Sequence, residues 1–505
     1  MDKLFGIDFG TGGCKATVID LDGKICATAF QEYPSEHTKP GWSEQDPSLW
    51  IDALINTIKV CKGQMQDGFT GVLALAFSAS THNAVLLDKD SRIIRPCIMW
   101  NDQRSGDQCR RLNSKYGSEI FKIGMQMPTP TWTLPQLMWI KEHEPDNFAK
   151  IDRLMFTKDY IRSFVTGDFC TDVVDAQGSL LYDARNNCWS QELCEMINLP
   201  LSILPSICKS KEIIGKVSKK IADITGLPDG LPVVAGCSDT AAEDFSAGAV
   251  SAGQIIVKLA TAGNVNLITD IAVPHEKSFT YPYSVEGKWY TVTATNSCAS
   301  AYRWMRDAFY PVEKEQCEHS GNDVYELMDK QATESRLGAN GLIFHPFLLG
   351  ERCPYFNPNA RAAFSGISMV HKKGDFARAL LEGVAFSLYD CLHVLKHFTN
   401  KMEDIVIIGG GAKSQLWSQI VCDVFGLEVK KPENAESSFG GALLAGVGIG
   451  AFANELEAAK RCIRMKQVYK PIQNNHDKYD QIFAIYKEIA ETSAPIWEKL
   501  AKIQE

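Results

Sequence analysis

A chain of 505 residues exceeds the roughly 250–300 residues at which one hydrophobic core stops growing, so at least two domains are expected. Its 45% hydrophobic and 22% charged residues describe an ordinary globular protein and exclude a disordered or fibrous one. The net charge of -9, without clustered basic residues, argues against a nucleic-acid partner.

The first residues, Met1-Asp2-Lys3, place charge where a secretory leader needs apolar side chains. Residues 4–8 then read as a short apolar strand, Gly10-Thr11-Gly12-Gly13 as a turn, and 15–20 as a second strand. Asp22-Gly23 signals a hairpin into a third strand over 25–32. Asp46-Pro47-Ser48 is a helix start, followed by an amphipathic run over 49–61 and a buried strand over 72–77. This β-β-β-α-β order predicts an α/β class with a mixed sheet. The second half restarts in the same style. A strand over 231–235 ends in Gly236-Cys237-Ser238-Asp239, and 255–259 runs through Ala260-Thr261-Ala262-Gly263 into 265–268. The pattern of strand, Thr-bearing small-residue turn and strand thus occurs twice, as a weak internal duplication. Later, 405–408 enters Gly409-Gly410-Gly411-Ala412, a helix is predicted over 414–425 with Gly426 closing it, and another over 477–503. The apolar stretch 439–453 is Gly-rich and shorter than the roughly 18 residues of a membrane span, so no membrane segment is expected. Sixteen cysteines without a CxxC pair read as reduced thiols, and a cytoplasmic location is expected.

Several of these turns suit chemistry. At Asp8-Phe9-Gly10-Thr11-Gly12-Gly13, glycines let backbone N–H groups approach a phosphate, Thr11 adds a hydroxyl, and Asp8 suits Mg²⁺. Thr261 stands in a second, weaker turn of this kind. A third, over Gly409 to Trp417, could seat a flat base at the next helix start. Read alone, each also fits a turn without a ligand, and the Walker A and dinucleotide spacings are absent. Asp239 is the candidate general base, with a helix N-cap as the open alternative. His82-Asn83 and Trp100-Asn101-Asp102-Gln103-Arg104 combine an aromatic face with polar groups, which suits a sugar, although His82 also fits a loop histidine and Trp100 a core residue.

Taken together, the chain resembles the FGGY carbohydrate kinases over essentially its full length. The resemblance is carried by Gly6-Ile7-Asp8-Phe9-Gly10-Thr11, Gly41-Trp42-Ser43-Glu44-Gln45-Asp46-Pro47 and Ile98-Met99-Trp100-Asn101-Asp102-Gln103-Arg104. It continues through Lys158-Asp159-Tyr160, Thr166-Gly167-Asp168-Phe169, Gly236-Cys237-Ser238-Asp239, Gly350-Glu351-Arg352-Cys353-Pro354 and Gly409-Gly410-Gly411-Ala412. It implies an α/β fold of two actin-like (ribonuclease H-like) domains around a central cleft. Residues 1–230 would form the sugar side and 231–505 the ATP side, with the C-terminal helix free to pack back on the first domain. It further implies ATP and Mg²⁺ as cofactors and transfer of the γ-phosphoryl to a small sugar. D-xylulose leads as acceptor; ribulose, gluconate and glycerol remain alternatives, as does a non-sugar actin- or chaperone-like ATPase. Asp239 would be the catalytic base and Asp8 the metal residue. His82, Trp100, Asn101, Asp102 and Arg104 would face the sugar, and Thr11, Gly12, Thr261, Gly410, Gly411, Ala412 and Ser414 the nucleotide. Gly12, Ala260 and Ala262 depart from the family's more usual serine and glycine at the phosphate turns. No nucleic-acid or membrane partner is expected, and a homodimer stays open.

Overall fold

The computed structural model describes residues 1–396, 399 and 401–504. Two sheets organise it. The first contains β1 (Lys3–Gly10), β2 (Gly13–Asp20), β3 (Ile25–Glu32), β4 (Val72–Ala79), β5 (Ile213–Lys216) and β6 (Pro232–Ser238), in the order β3-β2-β1-β4-β6-β5. The second contains β7 (Ile255–Leu259), β8 (Gly263–Thr269), β9 (Phe279–Pro282), β10 (Trp289–Thr295), β11 (Ile405–Ile408), β12 (Val429–Pro432) and β13 (Met465–Tyr469), in the order β9-β10-β8-β7-β11-β12-β13.

From β3 to β5 the first sheet pairs antiparallel, antiparallel, parallel, parallel, antiparallel. From β10 to β13 the second sheet repeats that series, with β9 added outside β10. The duplication glimpsed in two short hairpins is therefore a duplication of whole sheets, the actin-like pair expected.

The helices that matter here are α1 (Pro47–Gln64), α2 (Thr157–Thr166), α3 (Val173–Gly178), α4 (Asp239–Ser246), α5 (Ala299–Phe309), α6 (Lys373–Lys396), α7 (Gln415–Phe425), α8 (Ser437–Gly448) and α9 (Gln473–Gln504). Asp46 caps α1 by accepting from the Ser48 N–H, as its Asp-Pro-Ser start predicts. Period-two alternation sends neighbouring strand residues to different cores. Leu4 of β1 and Ile256 of β7 share a central core with Ala241 and Phe245 of α4 and Leu443 of α8, whereas Phe5 joins the core behind the first sheet and Val257 the core behind the second.

Two expectations about domain organisation are corrected. The division after residue 230 would cut the first sheet, because β6 pairs with β4 and β5. A buried apolar strand carries no local mark of the sheet it will join. The helix α9 does not pack back on the first unit: its Tyr479 and Tyr486 lie in the core of the second, and the Tyr479 hydroxyl donates to Glu382 of α6 at 2.8 Å. The segment that does return is α8. It sits so close to β1 that a β-carbon at Gly6 would lie 1.9 Å from the Ser438 carbonyl oxygen. The Thr17 and Ser438 hydroxyls, 2.8 Å apart, fasten the same crossing. Among the described residues no helix is long and apolar enough to cross a membrane.

Candidate active site

In open parallel sheets, ligands gather beyond the carboxyl ends of the strands. In the first sheet Asp8 of β1 lies beside Ser78 of β4, and Ser78 beside Cys237 of β6. Ser78 donates to Asp8 at 2.7 Å. Gly236 has φ 81°, and the register of β6 shifts between Val234 and Cys237. A β-carbon there would meet the Phe77 carbonyl oxygen at 1.8 Å, so glycine is required for this bulge, which delivers Asp239 past the strand end. Asp239 opens α4, but the cap is Ser238, which accepts from the Ala241 N–H. The capping alternative for Asp239 is thereby removed. Asp239 Oδ1 accepts from the Thr240 N–H at 2.6 Å and from its hydroxyl at 3.2 Å.

The charge of Asp239 reaches Asp8. Burial first, then the charge of Asp239, pushes the Asp8 carboxyl up to about 8. Burial also raises Asp239, opposed chiefly by the ammonium of Lys258. Lys258, on β7 of the second sheet, is ion-paired to Glu243 of α4. The sequence reading passed over both, although Lys258 is the lone charge in an apolar strand and Glu243 stands one helical turn from Asp239. No group of three or more His, Cys, Asp or Glu among the described residues is spaced to hold a metal ion by itself. A single carboxylate, Asp8, beside a Gly-rich turn instead suits a Mg²⁺ that would draw its other ligands from phosphate and water.

The first turn, between β1 and β2, is held from outside. The Thr11 carbonyl accepts from Gln45 Nε2 at 2.6 Å, and Gln45 in turn accepts from the buried Trp50 indole at 2.9 Å. Around the ideal β-carbon position of Gly12 there is nothing within 4 Å. The second turn, between β7 and β8, abuts α5: Thr261 O accepts from the Ser300 hydroxyl at 2.7 Å, and Thr261 Oγ1 from Arg303 at 3.3 Å. Arg303 had no signal in the sequence beyond being one arginine of many. In the third turn Gly409 has φ 90°, Gly410 is exposed with open space around it, and Gly411 packs against Trp417. Ala412 is buried and Ser414 caps α7 by accepting from the Trp417 N–H, so both shape the turn.

On the sugar side, the Trp100 indole donates to Thr11 Oγ1 at 2.9 Å, which joins the expected sugar and phosphate residues in one place. His82 is buried in contact with Trp132, ring centroids 5.0 Å apart, and Trp132 also meets Phe279 of β9 from the other half. Burial drives the His82 imidazole down to about 3, so it is neutral. Its Nδ1 and the Asn101 Oδ1 are buried without a hydrogen-bond partner among the described residues. Orphaned polar atoms of this kind fit a site that a polyhydroxylated ligand completes. Trp132 was not singled out from the sequence, where it stands only as one tryptophan between two threonines.

Asp102 and Arg104 do not face such a ligand, contrary to expectation. They pair with each other at 2.8 Å, both almost wholly buried. Arg104 also reaches Glu44 at 2.6 Å and lies 3.7 Å above the Trp42 ring, while Asp102 accepts from the Ser43 N–H at 2.6 Å. Their charges fasten the 41–45 segment to the 98–104 loop.

These features, two sheets of the same topology with paired carboxylates and Gly-rich turns at their strand ends, define a phosphotransferase of the actin-like class. Residues 4–246 match the FGGY family of carbohydrate kinases, N-terminal domain, and residues 258–449 its C-terminal domain. The chain belongs to the FGGY family of carbohydrate kinases. The first match takes in β6 and α4, in agreement with the sheet pairing. Among its relatives is the xylulose kinase of Bacillus subtilis (strain 168), 32% identical over 97% of each chain. The gluconokinase of the same organism is 28% identical over 96% of this chain and 94% of its own. The crystal structure of xylulose kinase from Rhodospirillum rubrum superposes with a TM-score of 0.91 at 26% identity, covering 98% of this chain and all of that one.

Proposed function

We propose that this carbohydrate kinase transfers the γ-phosphoryl of MgATP to a hydroxyl of a ketopentose, with D-xylulose as its preferred acceptor. The observation that carries the reading is the placement of Asp239 just past the end of β6, where its charge reaches Asp8 of β1 and it feels the ammonium of Lys258 from the second sheet. Asp239 takes the proton of the attacking hydroxyl, and burial raises its affinity for that proton. Asp8 would hold Mg²⁺, which would supply neutralisation of the phosphate charge. Backbone N–H groups of the turns at Gly10–Gly13 and Ala260–Gly263, with Thr11 and Thr261, orient the phosphate chain, and the open face of Gly410 leaves room for the base. His82, Trp100 and Asn101 orient the sugar and exclude water.

The preference for a neutral sugar over gluconate rests on Arg104. A gluconate carboxylate calls for a cation, and Arg104, the one cation among the residues expected to face the sugar, is consumed by Asp102 and Glu44. Measuring kcat/KM for xylulose, ribulose, gluconate and glycerol tests the choice. Xylulose is expected to lead; gluconate leading by about tenfold, or 1.4 kcal/mol of transition-state preference, would overturn it.

A further inference from the structure

We infer that the short helix α3 is a positioning platform for His82, with Asp175 and Gly178 as its two working residues. The inference rests on the reading of His82 as a sugar contact. His82 has φ 53°, in the left-handed region that side chains other than glycine rarely occupy. Such a conformation persists where surrounding groups hold it. Two hydrogen bonds do so here: the His82 N–H donates to Asp175 Oδ1 at 3.2 Å, and its carbonyl accepts from Thr133 Oγ1 at 2.7 Å.

Gly178 follows Asp175 by three residues and therefore shares its face of the helix. A β-carbon at Gly178 would lie 2.8 Å from both His82 Cδ2 and Thr81 Cγ2. One turn of α3 thus supplies an anchor for the His82 backbone and a gap for its ring. Asp175 is itself fixed from below. Lys158 of α2, fully buried, stands 3.4 Å from Asp175 Oδ2, 3.2 Å from Asp172, and bonds Asp159 as well. Asp172 caps α3 by accepting from the Val174 N–H, so the lysine ties the start of the helix to its anchor. Burial pushes the Asp175 carboxyl up to about 8, and in either protonation state it offers an acceptor oxygen to the His82 N–H. An amide reproduces that acceptor; a methyl group does not. Asp175 touches no reacting atom, and its effect runs through His82.

The test compares His82→Ala, Asp175→Ala, Asp175→Asn and Gly178→Ala by steady-state kinetics with D-xylulose and ATP, alongside thermal melting. The first, second and fourth are expected to raise the KM for xylulose by about tenfold, the scale of losing one buried hydrogen bond or its geometry, while the KM for ATP stays within about twofold. Asp175→Asn should restore near-normal xylulose KM. If His82→Ala leaves the xylulose KM unchanged, the sugar role of His82 itself is wrong and the inference falls with it. If His82→Ala weakens xylulose but folded Asp175→Ala or Gly178→Ala does not, the platform alone is refuted. Equal losses for ATP and sugar, or an Asp175→Asn variant as poor as Asp175→Ala, would refute it too. Should Asp175→Ala fail to fold, Gly178→Ala and Asp175→Asn decide the matter.

Discussion

Asp239 is expected to matter to turnover far more than to the fold. Both hydrogen bonds that its side chain accepts among the described residues fall on Oδ1 and come from its own neighbour, Thr240. Asp239→Asn keeps those bonds and removes the base. Its kcat should fall by at least about 100-fold, the usual scale for lost acid–base help, with the melting temperature and nucleotide affinity retained; near-normal turnover would contradict the role. Asp8 makes a prediction about pH. Its folded value of about 8 lies above the ordinary 3.8, so between these limits the folded protein holds a proton that the unfolded chain has released. The stabilisation is full below the lower value and is lost as pH rises through the upper one. Between roughly pH 5 and 8.5, Asp8→Asn should lose less melting temperature than the wild type. Parallel curves would show that Asp8 titrates normally. The misreading of Asp102 and Arg104 also belongs to this scale. Trp-Asn-Asp-Gln-Arg shows which groups can recognise a sugar, but the partners that claim Asp102 and Arg104, Ser43 and Glu44, lie some sixty residues away in sequence.

Among the elements, α8 crosses β1 and α4 at close range. Gly6 and Gly440 both make contacts that leave no room for a side chain: a β-carbon at Gly440 would stand 1.9 Å from the Ala242 carbonyl oxygen. Gly6→Ala should therefore destabilise the protein by about 3 kcal/mol or more, the range of severe overpacking against backbone, as read from urea unfolding. Gly12→Ala, with open space around it, should leave stability within about 0.5 kcal/mol and raise the KM for ATP instead. A stable Gly6→Ala variant would mean that α8 shifts freely on β1. Local patterns gave β3 its full extent, the Asp46 cap and the Gly426 terminus, because alternation, capping and left-handed glycine are written in a few adjacent residues. They left β6 in the wrong unit and missed the return of α8. Strand pairing and helix crossing are decided by partners distant in the chain, and Gly6 opposite Ser438 has no local sign.

At the scale of the whole molecule, the site is divided. Asp8, Asp239 and His82 belong to the part built on the first sheet, Lys258 and Thr261 to the part built on the second, and Trp132 of the one meets Phe279 of the other. Phosphoryl transfer to a sugar requires that water be kept out while these parts come together. Adding xylulose with a non-hydrolysable ATP analogue should make the particle more compact than the analogue alone, as read by small-angle X-ray scattering; an unchanged radius would argue for a cleft already closed. The most direct measurement follows phosphorus: ³¹P NMR of the protein with MgATP, with and without D-xylulose. Transfer to sugar predicts a phosphate monoester of the sugar appearing in step with ADP, and little free phosphate when sugar is absent. ADP and inorganic phosphate released at the same rate with or without sugar would mark an ATPase and contradict it.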